Sequence, residues 1–400
     1  MSTQTSHKTK LKLTPLERKA STTLALLFAV RMLGLFLLTP VFADAAKTLV
    51  QGDNPLMIGI AIGAYGLTQS VMQIPMGILS DRFGRRSVVI FGMALFVIGG
   101  IICALAPSVT WVAIGRGVQG FGAVSAAITA WVSDATRPEV RSRAMAMVGA
   151  SIGLSFAISM VMAPLVVEWF ELSGLFWTIS LLGFLCLLLA VWIVPVVPQE
   201  YQAINCSLTM FDVFRSKDLW LLNLSVFSLH FVLMAIFVVI PPVLVRLGDM
   251  SIGDLWRVYL PVIVVSLIFM IPAVMMAEKK RKHKEAIGLT LLGIIISLGI
   301  MISGMYSLVM LVFALLLYFI PFNILEALLP SAVSRTCPPA QKGLALGVFN
   351  MTQALGVATG GFFGGFMAAN YGSISVFIMA MVLCAIAYLA TRRVQINFVQ

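Results

Sequence analysis

Charged residues are scarce in this chain. Asp, Glu, Lys and Arg make up 11% of its 400 residues, whereas hydrophobic residues make up 60%. A soluble globular protein carries roughly 25% charged residues, so this composition cannot cover a surface that faces water. The scarcity excludes a soluble enzyme, a disordered chain and a secreted disulfide scaffold, and it indicates a polytopic membrane protein.

Cysteine is also rare, and the usual catalytic motifs are missing. The five cysteines are widely spaced and odd in number, which fits neither a disulfide framework nor a zinc site. The sequence has no metal-spaced cluster of His, Asp and Glu, no Ser/His/Asp arrangement and no phosphate loop. We therefore predict no metal, no cofactor and no enzymatic activity.

The chain instead contains about twelve long apolar runs, bounded by charged residues or by Gly, Pro and Asn. Most are about 20 to 28 residues long, which is enough to cross a bilayer with some tilt. Only helices and closed barrels satisfy the backbone in hydrocarbon, and the runs lack the alternation of a barrel strand. We predict an all-α polytopic membrane protein with twelve transmembrane helices.

The basic residues divide unevenly between the two sides of this topology. One side receives 22 of the 27 lysines and arginines and the other receives 3, while Arg31 and Arg116 lie inside spans. The positive-inside rule places the first side, with both termini, in the cytoplasm. The net charge of +11 thus reflects orientation, and we predict no nucleic-acid partner.

The two halves of the chain repeat. A shift of 201 residues places Val132-Ser133 on Val333-Ser334 and Pro138 on Pro339. Each half holds six spans, so the repeat is parallel and predicts two pseudo-symmetric six-helix bundles around a central cavity. The predicted divisions are a cytoplasmic N-terminal segment (1–21), an N-terminal bundle (22–197), a cytoplasmic linker (198–218), a C-terminal bundle (219–391) and a cytoplasmic tail (392–400).

A charged loop follows the second span. Gly77 allows a close helix approach, Gly84 permits a tight turn, and Arg85 could hold a carboxylate with two hydrogen bonds. Alone, the loop could be a generic cytoplasmic connection with positive-inside arginines. Its sequence is Gly77-Ile-Leu-Ser-Asp81-Arg82-Phe-Gly84-Arg85-Arg86.

This loop resembles motif A of the major facilitator superfamily, GxLxDxxGRR/K. The fourth span contains Arg116-Gly-Val-Gln119-Gly120-Phe-Gly122-Ala123, which resembles motif B of the same family, RxxQGxGA. With the twelve spans and the repeat, the resemblance covers essentially the whole chain. Within the family, the chain is most similar to the drug/proton antiporter type. This chain ends soon after the twelfth span, so we do not expect it to carry a soluble C-terminal domain.

The resemblance implies roles for the motif residues. In the family, the motif A aspartate caps the eleventh span and the arginine pairs with an acid on the fourth, which match Asp81, Arg85 and Asp134 here. They would form a latch that closes the cytoplasmic side and favours the outward-open state, together with Gly77, Arg82, Gly84 and Arg86. Asp134 could instead simply be solvated at the membrane boundary.

Three ionisable residues lie near the middle of spans that line the cavity in this fold: Arg31, His230 and Glu326. Charge at this depth is costly and therefore indicates function. Glu326 is the best proton site, because a low-dielectric cavity favours the neutral carboxyl and lets it load and release a proton near neutral pH. Glu326 could also be an ion-paired structural acid, and His230 a packing residue.

Other polar residues complete the predicted site. Arg31 could bind a substrate anion, meet Glu326 or donate to backbone carbonyls. Arg116 is linked to proton coupling through the resemblance, or it could extend outward to water. Glu168, at the outer end of the fifth span, is expected to be a wet boundary residue. The residues expected to line the substrate cavity are Tyr65, Gln69, Gln73, Gln119 and Asn323, and Asn323 could also hydrogen-bond Glu326.

The fifth span bears on the direction of transport. Antiporters of the family carry a Gly-rich motif C that ends in Gly-Pro, whereas this chain has Gly149, Gly153 and Ala163-Pro164. We predict a proton-coupled secondary transporter, a monomer in a bacterial inner (plasma) membrane, that exports a small amphipathic drug or metabolite by H⁺ antiport through alternating access. The alternatives are proton-coupled uptake of a small metabolite and a non-transporting membrane sensor on the same fold.

Overall fold

The computed structural model describes residues 13–122, 124–194, 216–280, 282–337 and 342–393. The predicted linker and terminal segments fall largely outside these ranges, as does Ala123 of motif B. Strand pairing in the described ranges is limited to one isolated bridge between Val50 and Ser108. The α-helices are α1 (Pro15–Phe36), α2 (Phe42–Ala45), α3 (Pro55–Phe83), α4 (Arg85–Ala104), α5 (Val109–Phe121), α6 (Ser125–Asp134), α7 (Pro138–Trp192), α8 (Lys217–Phe237), α9 (Ile240–Gly248), α10 (Trp256–Lys279), α11 (His283–Gly304), α12 (Leu308–Thr336), α13 (Lys342–Tyr371) and α14 (Ser373–Arg393).

Nine helices in the part of the chain that the structure describes are long and apolar enough to cross a membrane. The predicted count is higher because three predicted spans do not register as separate apolar helices. The fourth span is divided into α5 and α6, the fifth and sixth lie together in α7, and the eleventh, α13, is rich in glycine and polar residues. The count of twelve remains a prediction.

Helix α7 contains two antiparallel segments. Its 55 residues would extend about 80 Å as one straight helix, far beyond the roughly 30 Å of a hydrocarbon core. The backbone leaves the helical region at Glu171 (φ 59°, ψ −174°). Just after this point Ser173 donates to the carbonyl of Ala104, at the end of α4, and near the end of α7 Arg86, at the start of α4, donates to the carbonyl of Val191. The second segment therefore runs antiparallel to α4, and the chain reverses at Glu171.

The bundle has two ends of different charge. We call the end where α1 begins and α14 finishes the basic end, because it carries most of the basic side chains. The opposite end contains α2, α9 and the turns beside them. The basic end includes Arg82, Arg85, Arg86, Arg137, Lys279, Lys280, Lys282, Arg335 and Arg392.

A buried carboxylate fixes two helix starts at the basic end. Thr14 and Glu17 form a capping box, in which the Glu17 backbone N–H donates to the Thr14 hydroxyl at 3.2 Å and the Glu17 carboxylate accepts from the Thr14 backbone N–H at 2.7 Å. The same carboxylate accepts from Arg137 Nε at 2.8 Å and from the Arg137 backbone N–H at 3.1 Å. Because Arg137 immediately precedes α7, Glu17 ties the start of α1 to the start of α7 within the N-terminal half.

The two halves pack most closely along α3 and α13, toward the opposite end. A methyl group added to Gly361 would lie 2.8 Å from the carbonyl oxygen of Gly59 and 2.9 Å from the backbone nitrogen of Gly63. Small residues allow helix backbones to approach this closely. Further along the two helices, Gly66 lies against Ala354 in the same way. The contact leaves no room for a side chain at its centre.

Besides this packing, three hydrogen bonds between described residues join the halves near the opposite end. The Tyr259 hydroxyl donates to the carbonyl of Pro40 at 3.3 Å, and the Gly253 backbone N–H donates to Glu168 at 3.0 Å. The third joins the Thr39 hydroxyl to the Met234 sulfur, at 3.9 Å. Nearer the basic end, Gly149 and Gly347 have no described atom within 4 Å of an added methyl. The halves are thus closed against each other at the opposite end.

Replacing Gly361 with Val should shift the protein toward a state that is open at the opposite end. Overpacking costs about 1–3 kcal/mol, which corresponds to roughly a 5- to 150-fold change in the equilibrium between states. In a background without native cysteines, spin labels at Asp53 and Tyr371, which are exposed at the opposite end, should report a longer distance in the variant.

Gly347→Val is the matched control, because it adds the same side chain to the same helix at a position where no described atom lies within 4 Å of an added methyl. Its distance distribution should equal that of the unsubstituted protein. Identical distributions for the two valine variants would contradict the proposed role of the α3–α13 contact.

Candidate functional site

A histidine and a glutamate face each other inside the C-terminal half. His230 Nε2 on α8 lies 3.5 Å from Glu326 Oε2 on α12. The imidazole is fully buried and the glutamate side chain is 16% exposed. The separation is a few tenths of an ångström longer than a hydrogen bond, so a small approach of the two side chains would bring them within reach of proton transfer. The structure thus brings together two of the predicted proton-coupling residues.

The other contacts of His230 show which ring nitrogen carries the hydrogen when the imidazole is neutral. Nδ1 lies 3.1 Å from the carbonyl oxygen of Val226, and because a carbonyl only accepts, Nδ1 carries the hydrogen. Nε2 of the neutral ring is then an acceptor, and it receives a hydrogen bond from the side-chain amide of Gln353 on α13 at 2.6 Å. The sequence analysis did not identify Gln353, although a glutamine within an apolar run is the signal that could have found it.

Glu326 lies at a small cavity between the halves. Aromatic rings form much of the wall, and Phe156 of the N-terminal half lies 5.1 Å from Phe36 and 5.2 Å from Phe322, measured between ring centroids. The carboxyl therefore faces the space between the halves and not lipid. The cavity is lined by Phe36, Ile152, Gly153, Phe156, Phe322, Asn323 and Glu326.

Asn323 lines this cavity, but its amide does not bind Glu326 as the sequence suggested. Its Nδ2 donates to the Ser266 hydroxyl on α10 at 2.8 Å. Spacing along a helix places Asn323 and Glu326 on neighbouring positions of one face. A hydroxyl on the adjacent helix, which spacing cannot reveal, takes the amide hydrogen bond instead.

The two buried arginines meet in the N-terminal half around Tyr65. The guanidinium carbon of Arg116 lies 4.6 Å from the centroid of the Tyr65 ring, and that of Arg31 lies 5.8 Å from it. Arg116 donates to the Gly34 carbonyl at 2.8 Å and to Gln119 Oε1 at 3.1 Å. It is buried and does not extend outward.

Arg31 donates to the hydroxyl of Ser125 at the start of α6. The four predicted proton-coupling residues therefore form two separate groups: His230 with Glu326 in one half, and Arg31 with Arg116 in the other. The predicted cavity residues divide in the same way. Only Asn323 lines the small cavity, whereas four are buried on α3 and α5 of the N-terminal half: Tyr65, Gln69, Gln73 and Gln119.

The charged loop between α3 and α4 is organised by Arg85. Its Nε lies 3.0 Å from Asp134 Oδ2, its Nη1 donates to the Ser80 hydroxyl at 2.7 Å, and it also pairs with Asp81. Gly84 has φ 87°, which a residue with a side chain rarely adopts. The loop geometry therefore joins the second, third and fourth spans.

The remaining loop residues lie around Arg85. Arg86 donates to a backbone carbonyl of α7, and Arg82 lies over the Phe83 ring. A methyl group added to Gly77 would lie 3.8 Å from the Ala126 side chain. Asp81 is 67% exposed. In the described part of the chain it pairs with Arg85. The residues that precede α13 (338–341) lie outside the described ranges, so the implied cap on the eleventh span stays a prediction.

Glu168 has a structural partner that the sequence did not reveal. Its carboxylate accepts a hydrogen bond from the Gly253 backbone N–H, so it connects the two halves at the opposite end. The position of Glu168 at the outer end of the fifth span indicated only that it would lie at the membrane boundary. The partner is a backbone group in a turn nearly ninety residues away, which carries no sequence signal.

Comparison with known proteins identifies relatives across the whole chain. A family model described as Major Facilitator Superfamily matches residues 24–360. The inner membrane transport protein YajR of Escherichia coli (strain K12) is 38% identical over 380 residues, which are 94% of this chain and 83% of YajR. The multidrug resistance protein MdtL of Escherichia coli O139:H28 (strain E24377A / ETEC) is 29% identical over 136 residues, which are 34% of this chain and 35% of MdtL.

A solved structure has the same fold. A bacterial homologue of the human lysosomal transporter Spinster, in an inward-facing and occupied conformation, superposes with a TM-score of 0.78. The two sequences are 14% identical, and the match covers 96% of this chain and 97% of that protein. At this identity the likeness extends to the fold alone.

A double-mutant cycle should measure a coupling on the order of 1 kcal/mol between Arg85 and Asp134. Arg85→Gln, Asp134→Asn and the double variant would be unfolded reversibly in mixed detergent micelles. Each single variant should lower the free energy of unfolding, and the second substitution should cost less once the first is made, because both remove the same contact.

The pair of Arg335 and Glu278 is the matched control. These groups are 3.4 Å apart and more exposed than Arg85 and Asp134, so solvent screens their attraction more strongly. Their coupling should be smaller. Equal couplings in the two cycles would mean that the contact between Arg85 and Asp134 is no stronger than an exposed surface pair.

Proposed function

Because the chain belongs to the major facilitator superfamily, we propose that it is a proton-coupled transporter in which Glu326 is the proton site. The predicted fold class is confirmed by the family match and the structural superposition. The relatives are transporters and not enzymes, as predicted. The chain is thus a multi-pass membrane transporter.

The position of Glu326 carries the proposal. Its carboxyl lies at the cavity between the halves and 3.5 Å from His230. An alternating-access transporter rocks its two bundles about such a site, so that the site meets water from each side of the membrane in turn. A carboxyl there binds its proton from one side and releases it to the other.

Protonation of His230 would change its contact with α13. The neutral ring accepts a hydrogen bond from Gln353 at Nε2. A proton that moves from Glu326 to Nε2 converts this acceptor into a donor, and the Gln353 amide hydrogens then face another hydrogen. Gln353 must turn its oxygen toward the ring or move away.

This change would act on the contact between the halves, because Gln353 precedes Ala354, which lies against Gly66 of α3. A shift of α13 disturbs a packing that leaves no space for adjustment. We infer that the proton state of the Glu326 and His230 pair thereby biases the closure of the opposite end.

We assign the basic end to the cytoplasm by the positive-inside rule, and the membrane to the bacterial inner membrane in line with YajR. In that orientation the structure is closed toward the outside. The favoured activity is export of a small amphipathic compound by proton antiport. The aromatic cavity wall and the relatives named for multidrug resistance support it.

Proton-coupled uptake is the second candidate, which the replacement of the final motif C glycine by Ala163 permits. In proteoliposomes, pH gradients imposed in both directions separate the two: antiport moves substrate against the proton flow, and uptake moves it with the flow. A sensor without transport activity would show no substrate-dependent proton movement under either gradient.

Glu326→Gln should abolish transport driven by a pH gradient, because the amide keeps the shape of the side chain and cannot carry the proton. Accumulation of fluorescent amphipathic dyes in proteoliposomes should fall to the level of protein-free liposomes. Exchange of dye without a gradient should continue, since it does not require the proton to move.

Glu285→Gln is the control, because Glu285 is exposed at the start of α11 and lies outside the cavity. Its transport should match that of the unsubstituted protein. Gradient-driven accumulation that persists in Glu326→Gln would remove this residue from the proton path.

A further inference from the structure

Two buried arginines in the N-terminal half lack a carboxylate partner. Arg31 is 0% exposed and Arg116 is 1% exposed, and neither takes part in an ion pair with any residue that the structure describes. A buried cation without a counter-charge is strongly unfavourable. The stacking of both groups on Tyr65 offsets only part of that penalty.

The two arginines have unused hydrogen-bond donors. Over the described ranges, three of their guanidinium nitrogens and the hydroxyl of the ring on which both stack are buried and have no partner. A group that only accepts hydrogen bonds would satisfy these donors, as a carboxylate, sulfonate or phosphate group does. The four atoms are Arg31 Nε and Nη2, Arg116 Nε and the Tyr65 hydroxyl.

The break in the fourth span adds a second, independent indication. Arg31 donates to Ser125, so its guanidinium lies at the first residue of the ten-residue helix α6. The first N–H groups of a helix have no intrahelical acceptor and carry a partial positive charge, and no side chain caps this helix. A cation is disfavoured at this position, whereas an anion is favoured by both the arginine and the helix.

We infer that Arg31, Arg116 and the start of α6 bind the anionic group of the transported compound. The substrate would be an amphipathic organic anion with a carboxylate, sulfonate or phosphate ester. Phe36, five residues or about 7.5 Å further along α1, lines the cavity between the halves. The acidic end would bind at Arg31, and the apolar body would enter the space between the halves once that space widens, because the cavity in this closed arrangement is about the size of one water molecule. The assignment of the anion as substrate rests on the proposed transport function.

The test compares anionic and neutral probes of the same shape. The full-length protein in detergent micelles is titrated with naphthalene-2-sulfonate, with the neutral naphthalene-2-sulfonamide and with inorganic sulfate, by calorimetry and by the shift in unfolding temperature. The sulfonate should bind at least ten-fold more tightly than the sulfonamide and than sulfate. Arg31→Gln and Arg116→Gln should each weaken sulfonate binding at least ten-fold.

Two variants serve as controls. Arg257→Gln removes an arginine that is 69% exposed at the opposite end, and it should leave sulfonate binding unchanged. Glu326→Gln should also bind the sulfonate although it loses proton coupling. If the unsubstituted protein does not bind the sulfonate but still drives dye transport with a proton gradient, this inference is overturned and the proposed function stands.

The stability of ligand-free Arg31→Gln separates a binding role from a structural one. If Arg31 awaits an anion, replacing it removes an uncompensated charge, and the variant should unfold at the same temperature as the unsubstituted protein or higher. A lower unfolding temperature would assign Arg31 to structure. Equal binding of sulfonate and sulfonamide to the unsubstituted protein would overturn the anion site without any variant, and sulfate binding as tight as sulfonate would assign the site to an inorganic ion and not to the substrate.

Discussion

The high cost of an ionised group inside a bilayer is the constraint on which this structure depends. Hydrocarbon cannot solvate a charge, so every ionisable group at depth needs a partner, a proton or a ligand. His230 and Glu326 meet this requirement with each other and with Gln353, on three helices of one half. Arg31 and Arg116 meet it only in part, through a hydroxyl, a carbonyl, an amide and an aromatic ring.

Close backbone packing between α3 and α13 couples a change at the buried ionisable groups to the contact between the halves. The α3–α13 contact places Gly361 of one half against Gly59 and Gly63 of the other, with no compressible side chain between them. A packed interface of this kind has discrete arrangements and does not deform gradually. A small displacement of α13 by a change at His230 is therefore transmitted to the interface, whereas flexible side chains would absorb it.

Depth and motifs could be predicted from the sequence, but the direction in which each side chain points could not. Counting along spans placed Glu326 and His230 at similar depth, and the resemblance to motif A implied the pair of Arg85 and Asp134; the structure has both contacts. Counting along a helix does not show toward which neighbouring helix a side chain points. It therefore suggested a hydrogen bond from Asn323 to Glu326, whereas the Asn323 amide donates to Ser266. It also could not reveal the break between α5 and α6, because Gly-rich apolar sequence is compatible with a continuous membrane helix.

The separation of charge between the halves makes the direction of coupling depend on the substrate. The N-terminal half contributes arginines and the C-terminal half contributes one carboxyl to the region around the cavity. A cationic compound would compete with the proton for Glu326, so the two would occupy the site in turn, as antiport requires. An anionic compound at Arg31 would be repelled by ionised Glu326 and bind best beside the protonated form, so substrate and proton would travel together. The sign of the charge on the substrate would thus select between export and uptake within one unchanged fold. The organic anion inferred at Arg31 and Arg116 would favour uptake, the second candidate, whereas export by antiport would require a compound that competes with the proton at Glu326.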